Sequence, residues 1–251
     1  MSRALRLEFR KMRRLRTLPV VLAMVVAVAA LSSASLFASS TRATFDDPAA
    51  HPWAELLLHY TLVAAMTSPI LAAVLASRQT DIEHAGGGWT LASTAGFAPG
   101  TLCRAKLAAL GAVLLPAVGL QTVLVVGAGA LAGIRVPIEA GPWIGYTLLL
   151  GLVDVALLAA HVWLAATVEN QLVGVGVGLL GAFLALFALL VPGVAYWLPP
   201  WGGYALISHV AQTGGGEVGY VTPPHPWIGG VLALVGAAFA LSTRRRARTE
   251  R

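Results

Sequence analysis

Thr147, Asp154 and His161 interrupt a strongly apolar part of this 251-residue chain, and they recur every seven residues. On an α-helix that spacing puts all three on one face. An aspartate near the middle of a membrane span costs about 2.5–3.5 kcal/mol on insertion scales, which the surrounding Leu and Val can offset, and such an acid faces protein or water rather than lipid. Two chemistries fit the face. It is a polar site that receives cargo or a proton, or Asp154 and His161 pair with each other or with a neighbouring helix and orient the bundle. His59, alone on another apolar run, reads as packing.

A second group lies in the polar stretch 77–105. Ile82, Ala85 and Trp89 share a helical face, and Asp81 and Glu83 fall near the start of the expected helix, where the helix dipole favours acids. A tryptophan on a short soluble helix suits a partner's groove; the alternative is an anchor touching lipid headgroups. Gly86, Gly87 and Gly88 weaken either helix.

Other chemistries find no motif. The chain has no His-Glu-x-x-His, no Gly-x-Ser-x-Gly and no pair of intramembrane aspartates. Its only lysines, Lys11 and Lys106, follow Arg10 and Ala105, so no phosphate-cradling Gly-Lys-[Ser/Thr] loop exists. No catalytic residue, bound metal or ATP hydrolysis by this chain alone is expected. Cys103 is the single cysteine, which excludes an intrachain disulfide and reads as a packing residue.

The elements that position these residues are membrane helices. Hydrophobic residues make up 57% of the chain and charged ones 11%, with a mean hydropathy of +0.78, whereas a soluble domain has about a quarter charged. Six spans are expected at 18–38, 54–76, 107–132, 143–167, 172–194 and 227–243, within a single transmembrane domain over 1–251. The first reads as a retained signal anchor, being too long for a cleaved signal. Lys and Arg outside the spans divide unequally: seven in the amino tail, Arg78, Arg104 and Lys106 in the second loop and five in the carboxyl tail, against Arg42 and Arg135 on the other side. The positive-inside rule then makes both termini cytoplasmic, and it accounts for the net charge of +6 without nucleic acid. Trp53, Trp143, Trp197, Trp201 and Trp227 fall at outer ends, where indoles suit the headgroup layer.

Three shorter pieces complete the expected layout. Residues 1–17 read as an interfacial helix, with Leu5, Phe9 and Met12 at helical spacing among arginines. Stretch 77–105 is a cytoplasmic loop. Residues 195–226, rich in proline and carrying the glycine run 214–216, read as short re-entrant helices followed by a flexible polar turn.

The loop ending Pro99-Gly-Thr-Leu-Cys-Arg-Ala-Lys-Leu107, the residues Glu83, Gly87, Trp89, Pro99 and Lys106 within it, and the outer Pro200-Trp-Gly-Gly-Tyr204 segment resemble the ABC-2 class of ABC transporter permeases. Within it, the layout is similar to the six-span permeases of lantibiotic-immunity and antibiotic-resistance exporters. The glycine triplet departs from that pattern. The resemblance implies an all-α integral membrane protein of the cell membrane, with an amino-terminal elbow helix and a coupling helix in the second loop. It implies that Ile82, Glu83, Gly87, Trp89 and Leu91 contact an ABC ATPase present in two copies, which binds ATP and Mg. A second permease, identical or paralogous, completes the assembly, and membrane lipid surrounds it. Cargo of this group is an amphipathic peptide, antibiotic or lipid-like molecule. The rival readings are an ion-coupled carrier using Asp154 and a non-transporting membrane scaffold.

Overall fold

A computed structural model describes residues 2–212 and 216–248 of the chain; Gly214 and Gly215 of the glycine run and the last three residues of the basic carboxyl tail lie outside them. Helix α1 (Ser2–Arg14) is amphipathic, and its inward row is Ala4, Glu8 and Met12, spaced by four. Of the expected row Leu5, Phe9 and Met12, Met12 is buried and Leu5 half-buried, whereas Phe9 is exposed, and the inward face is built around a carboxylate. Arg16, in the left-handed conformation, turns the chain into α2 (Thr17–Ser32), bent from α1 by 67°.

α2 is shorter than the expected span 18–38. Its 16 residues cover about 24 Å at 1.5 Å each, less than the roughly 30 Å of a bilayer core. It ends among Ser32, Ser33 and Ser35, hydroxyl residues that favour helix ends, and a 3-10 turn (Ala34–Phe37) and the short α3 (Ser39–Arg42) follow. Helices α4 (Pro52–His84), α6 (Pro99–Ala132), α7 (Ala140–Thr167), α8 (Gln171–Leu190) and α11 (His225–Arg248) are each long and apolar enough to cross a membrane, and α1 with α2 makes a sixth candidate when the bent pair is counted as one span. The fold is that of an all-α class, multi-pass membrane protein, helical apart from one short hairpin and its connecting loops. Between α4 and α6 stands α5 (Gly88–Thr94); between α8 and α11 come α9 (Pro192–Ala195), α10 (Gly203–Leu206) and an antiparallel hairpin of β1 (Val210–Gln212) and β2 (Val218–Tyr220).

α4 is the axis of the bundle, flanked by α2, α7 and α8, while α6 packs on α1, α2, α7 and α11. The α4–α8 seam inverts the pattern of a soluble core. α8 turns Gly174, Gly178, Gly181, Ala182, Ala185 and Ala188 inward and leaves Leu172, Leu179, Leu180, Phe183, Phe187 and Leu190 exposed. In lipid large apolar side chains gain nothing by being sequestered, whereas small ones let backbones approach closely. A Cβ on Gly178 would lie 2.9 Å from the Pro69 carbonyl oxygen and closer still to the Ala73 methyl, whereas one on Gly176 would meet nothing within 4 Å. Gly178→Val is therefore expected to destabilise the solubilised protein by about 1–3 kcal/mol through overpacking, and Gly176→Val far less. Equal shifts in thermal unfolding for the two variants would refute the close seam.

Candidate functional site

At the end of the bundle where α1 lies, α4 runs two turns beyond the expected span limit at residue 76 and carries Gln79 and Glu83 into a buried polar knot. Lys106, fully buried in the third turn of α6, spends each of its three ammonium donors: on the Glu83 carboxylate (2.8 Å), the Glu8 carboxylate (3.1 Å) and the Gln79 carbonyl (2.7 Å). Gln79 Nε2 donates to the same Glu8 oxygen at 2.8 Å. Lys11 donates to the other oxygens of Glu8 (2.8 Å) and Glu83. Two acids and two lysines thus neutralise one another, and every carboxylate oxygen accepts at least one charge-assisted bond. Burial lowers the pKa of Lys11, but its bonds to Glu8 and Glu83 outweigh this and hold it above 10.5. Because that pKa is raised, the stabilisation is lost as the pH rises through it. Arg78 adds a bond to the Leu15 carbonyl at 2.7 Å, so the elbow, α4 and α6 form one base.

This arrangement corrects the placement of Glu83. Rather than facing a partner from the start of a helix, it sits in the last turn of α4, 2% exposed, pointing into the protein. Asp81 shares that last turn, so neither acid benefits from a helix amino-terminal dipole. Gly86 and Gly87 break the chain with φ of 77° and 69°, values that disfavour side chains with a Cβ, and the expected continuous face of Ile82, Ala85 and Trp89 is split between two helices. Trp89 is half-buried. Its indole meets the His84 ring edge-on, with Nε1 3.4 Å from Nδ1, while His84 Nε2 lies 2.8 Å from the Ala165 carbonyl of α7. That bonding assigns the Nε2–H tautomer. Ile82 is half-buried, Gly87 is exposed, and Leu91 is the large apolar side chain of α5 that projects outward, 66% exposed.

The three polar residues of α7 go to three different places. Thr147 bonds Thr122 of α6 at 2.8 Å, next to the Tyr60 hydroxyl. Asp154, 3% exposed, accepts from Tyr204 of α10 at 2.6 Å and from Ser68 of α4 at 3.2 Å. His161 is buried and its Nδ1 has no partner among the described residues. Asp154 and His161 do not pair with each other; the aspartate is instead the junction of α4, α7 and the α9–α10 segment. Trp53 and Trp143 are also corrected: they are 5% and 3% exposed and pack edge-on at 6.2 Å, with Trp53 Nε1 donating to the Val136 carbonyl at 2.7 Å. Only Trp197 and Trp227 among the five expected headgroup anchors are largely exposed.

Sequence reasoning missed Glu8, Gln79, Ser68 and Tyr204 as site residues. A signal existed for one of them: Glu8 is the single acid in an otherwise basic amphipathic helix.

The sequence pattern of the ABC-2 family transporter proteins matches residues 4–185, from the elbow helix through most of α8. The chain belongs to the ABC-2 transporter family and is an ABC transporter permease subunit. No curated protein matched the chain.

Proposed function

We propose that this chain is the membrane subunit of an ATP-driven exporter of the cell membrane, of the lantibiotic-immunity or antibiotic-resistance type. ATP and Mg are bound by two copies of a separate ABC ATPase, and a second permease, identical or paralogous, completes the path. The excess of Lys and Arg at the α1 end makes that end, and both termini, cytoplasmic. Cargo is an amphipathic peptide, antibiotic or lipid-like molecule moved outward or extracted from the outer leaflet. The observation that carries the reading is α5: a short helix at the basic end, presenting an exposed Leu91 from a base that the buried knot makes rigid.

The test is Leu91→Asp. An apolar anchor in a partner groove is worth about 2 kcal/mol, so the variant should lose roughly 30-fold in affinity for the ATPase on co-purification, with thermal stability unchanged. Trp89→Ala should lose stability as well, because Trp89 packs on His84. Undiminished ATPase recovery with Leu91→Asp would remove α5 as the coupling element.

A further inference from the structure

Two adjoining cavities open at the end of the bundle opposite α1. One, of about 570 Å³, is apolar: Leu58 and Leu62 of α4, Leu190 of α8, Tyr196, Leu206 and Val221 supply walls. The other, of about 660 Å³, is polar, and Asp47, Glu55, His59 and Glu217 line it. Leu58 and Gln212 line both, so the two compartments share a wall and lie side by side. Their sizes are those of small-molecule sites, for which pockets of about 300–1,000 Å³ are usual.

The charge is one-sided. Three carboxylates line the polar compartment and no lysine or arginine does among the described residues. Neither Arg42, which donates to the Leu36 carbonyl at 3.1 Å and lies over the Phe37 ring, nor Arg135, which pairs with Asp46 at 3.5 Å, lines it. Asp47 spends one oxygen on the Ala49 N–H, and Glu217 has an interaction of its own. A ligand that fills the apolar compartment and reaches across Leu58 and Gln212 therefore meets net negative charge. An anionic lipid-like molecule would be repelled at that point, and a purely apolar one would leave the polar compartment unused.

We propose that the paired cavities bind a cationic amphiphile, its apolar part between α4, α8 and the α9–α10 segment and its positive group among Asp47, Glu55 and Glu217. The assignment rests on the exporter reading for its role as a cargo site, but binding itself needs no ATPase.

The test uses the full chain in nanodiscs of zwitterionic lipid, with photoreactive dodecylamine and, as its charge-reversed match, photoreactive dodecanoate. Dodecylamine should label the segments containing Leu189, Tyr196 and Val221 about ten-fold more than dodecanoate does, because two or three carboxylates at short range attract the ammonium and repel the carboxylate probe. Raising salt from about 50 to about 500 mM should shrink the ratio by screening. The pair Glu55→Gln and Glu217→Gln should abolish the preference, and Glu55→Lys with Glu217→Lys should reverse it. Equal labelling by the two probes in the wild-type protein, or a ratio indifferent to salt, would overturn the proposal without any variant having to fold. Disulfide formation between copies of Gln212→Cys with no probe labelling would give the cavities to a second copy and equally overturn it. Labelling that behaves as expected in a chain that recovers no ATPase would leave the site standing and remove only the exporter reading.

Discussion

Lys106→Met should be the most damaging single substitution in the chain, because it removes the one group that, among the described residues, touches both buried carboxylates and the Gln79 carbonyl at once. Methionine has nearly the same length, so the loss is electrostatic. Glu8 and Glu83 then share Lys11 alone, and one buried negative charge is uncompensated. Breaking a buried pair in this way costs about 3–5 kcal/mol. The solubilised protein should lose on the order of 10 °C in thermal midpoint, scaling from the usual 2–4 °C per kcal/mol for chains of this size. Adding Glu83→Gln to Lys106→Met restores charge balance and should recover a substantial part of the loss. An unchanged midpoint for Lys106→Met, or no recovery in the double variant, would mean that the knot does not hold α1, α4 and α6 together. The knot also sets the base of α5, so the single variant should weaken ATPase recovery in parallel with its stability.

Asp154→Leu should have the next largest effect, and Asp154→Asn should be close to neutral. Leucine leaves the Tyr204 and Ser68 hydroxyls without their acceptor in a buried place, at about 1–3 kcal/mol for each orphaned group. Asparagine keeps an acceptor oxygen for Tyr204, and its amide can donate to Ser68, whose hydroxyl rotates to accept. The prediction is that Asp154→Leu loosens the α9–α10 segment from α7, so that a cysteine at Ile207, fully buried in the intact protein, becomes reactive to a thiol reagent. In Asp154→Asn it should stay protected. If both variants keep Ile207→Cys protected and both lose transport, the carboxylate acts on cargo or a proton rather than as a junction. Normal folding and transport in both would show that the contacts with Tyr204 and Ser68 contribute nothing.

The difference between those two sites reflects how each was legible. Asp154 announces itself because a charge in an apolar run is conspicuous in one dimension, and its period with Thr147 and His161 is a property of a single helix. Its partners are not. Ser68 and Tyr204 lie 86 and 50 residues away, and hydroxyl residues are common enough that neither stands out. The same holds for Lys106: in the sequence it counts as one more basic residue of the second loop, and only the folded chain shows it fully buried. The β1–β2 hairpin was expected as a polar turn, since three-residue strands are too short for a period-2 pattern to register.

What the amino-acid order determined by itself is the membrane class, the approximate spans and the division of charge between the two ends. Each follows from transfer free energy summed along one helix, or from a count of Lys and Arg, and neither quantity depends on neighbours. The glycine triplet 86–88 is legible as a weak point of a helix, but the break that parts Ile82 from Trp89 is seen only in the folded chain. Which face of α1 points inward, which side Glu83 serves, whether Trp53 and Trp143 meet lipid or each other, and which acids line a cavity were decided only by tertiary structure. In lipid an apolar residue gains little by choosing protein over solvent, so hydropathy leaves the facing of each helix open. Small-residue seams such as Gly178 against Ala73, and pairings between distant polar groups such as Glu8 with Lys106, select it.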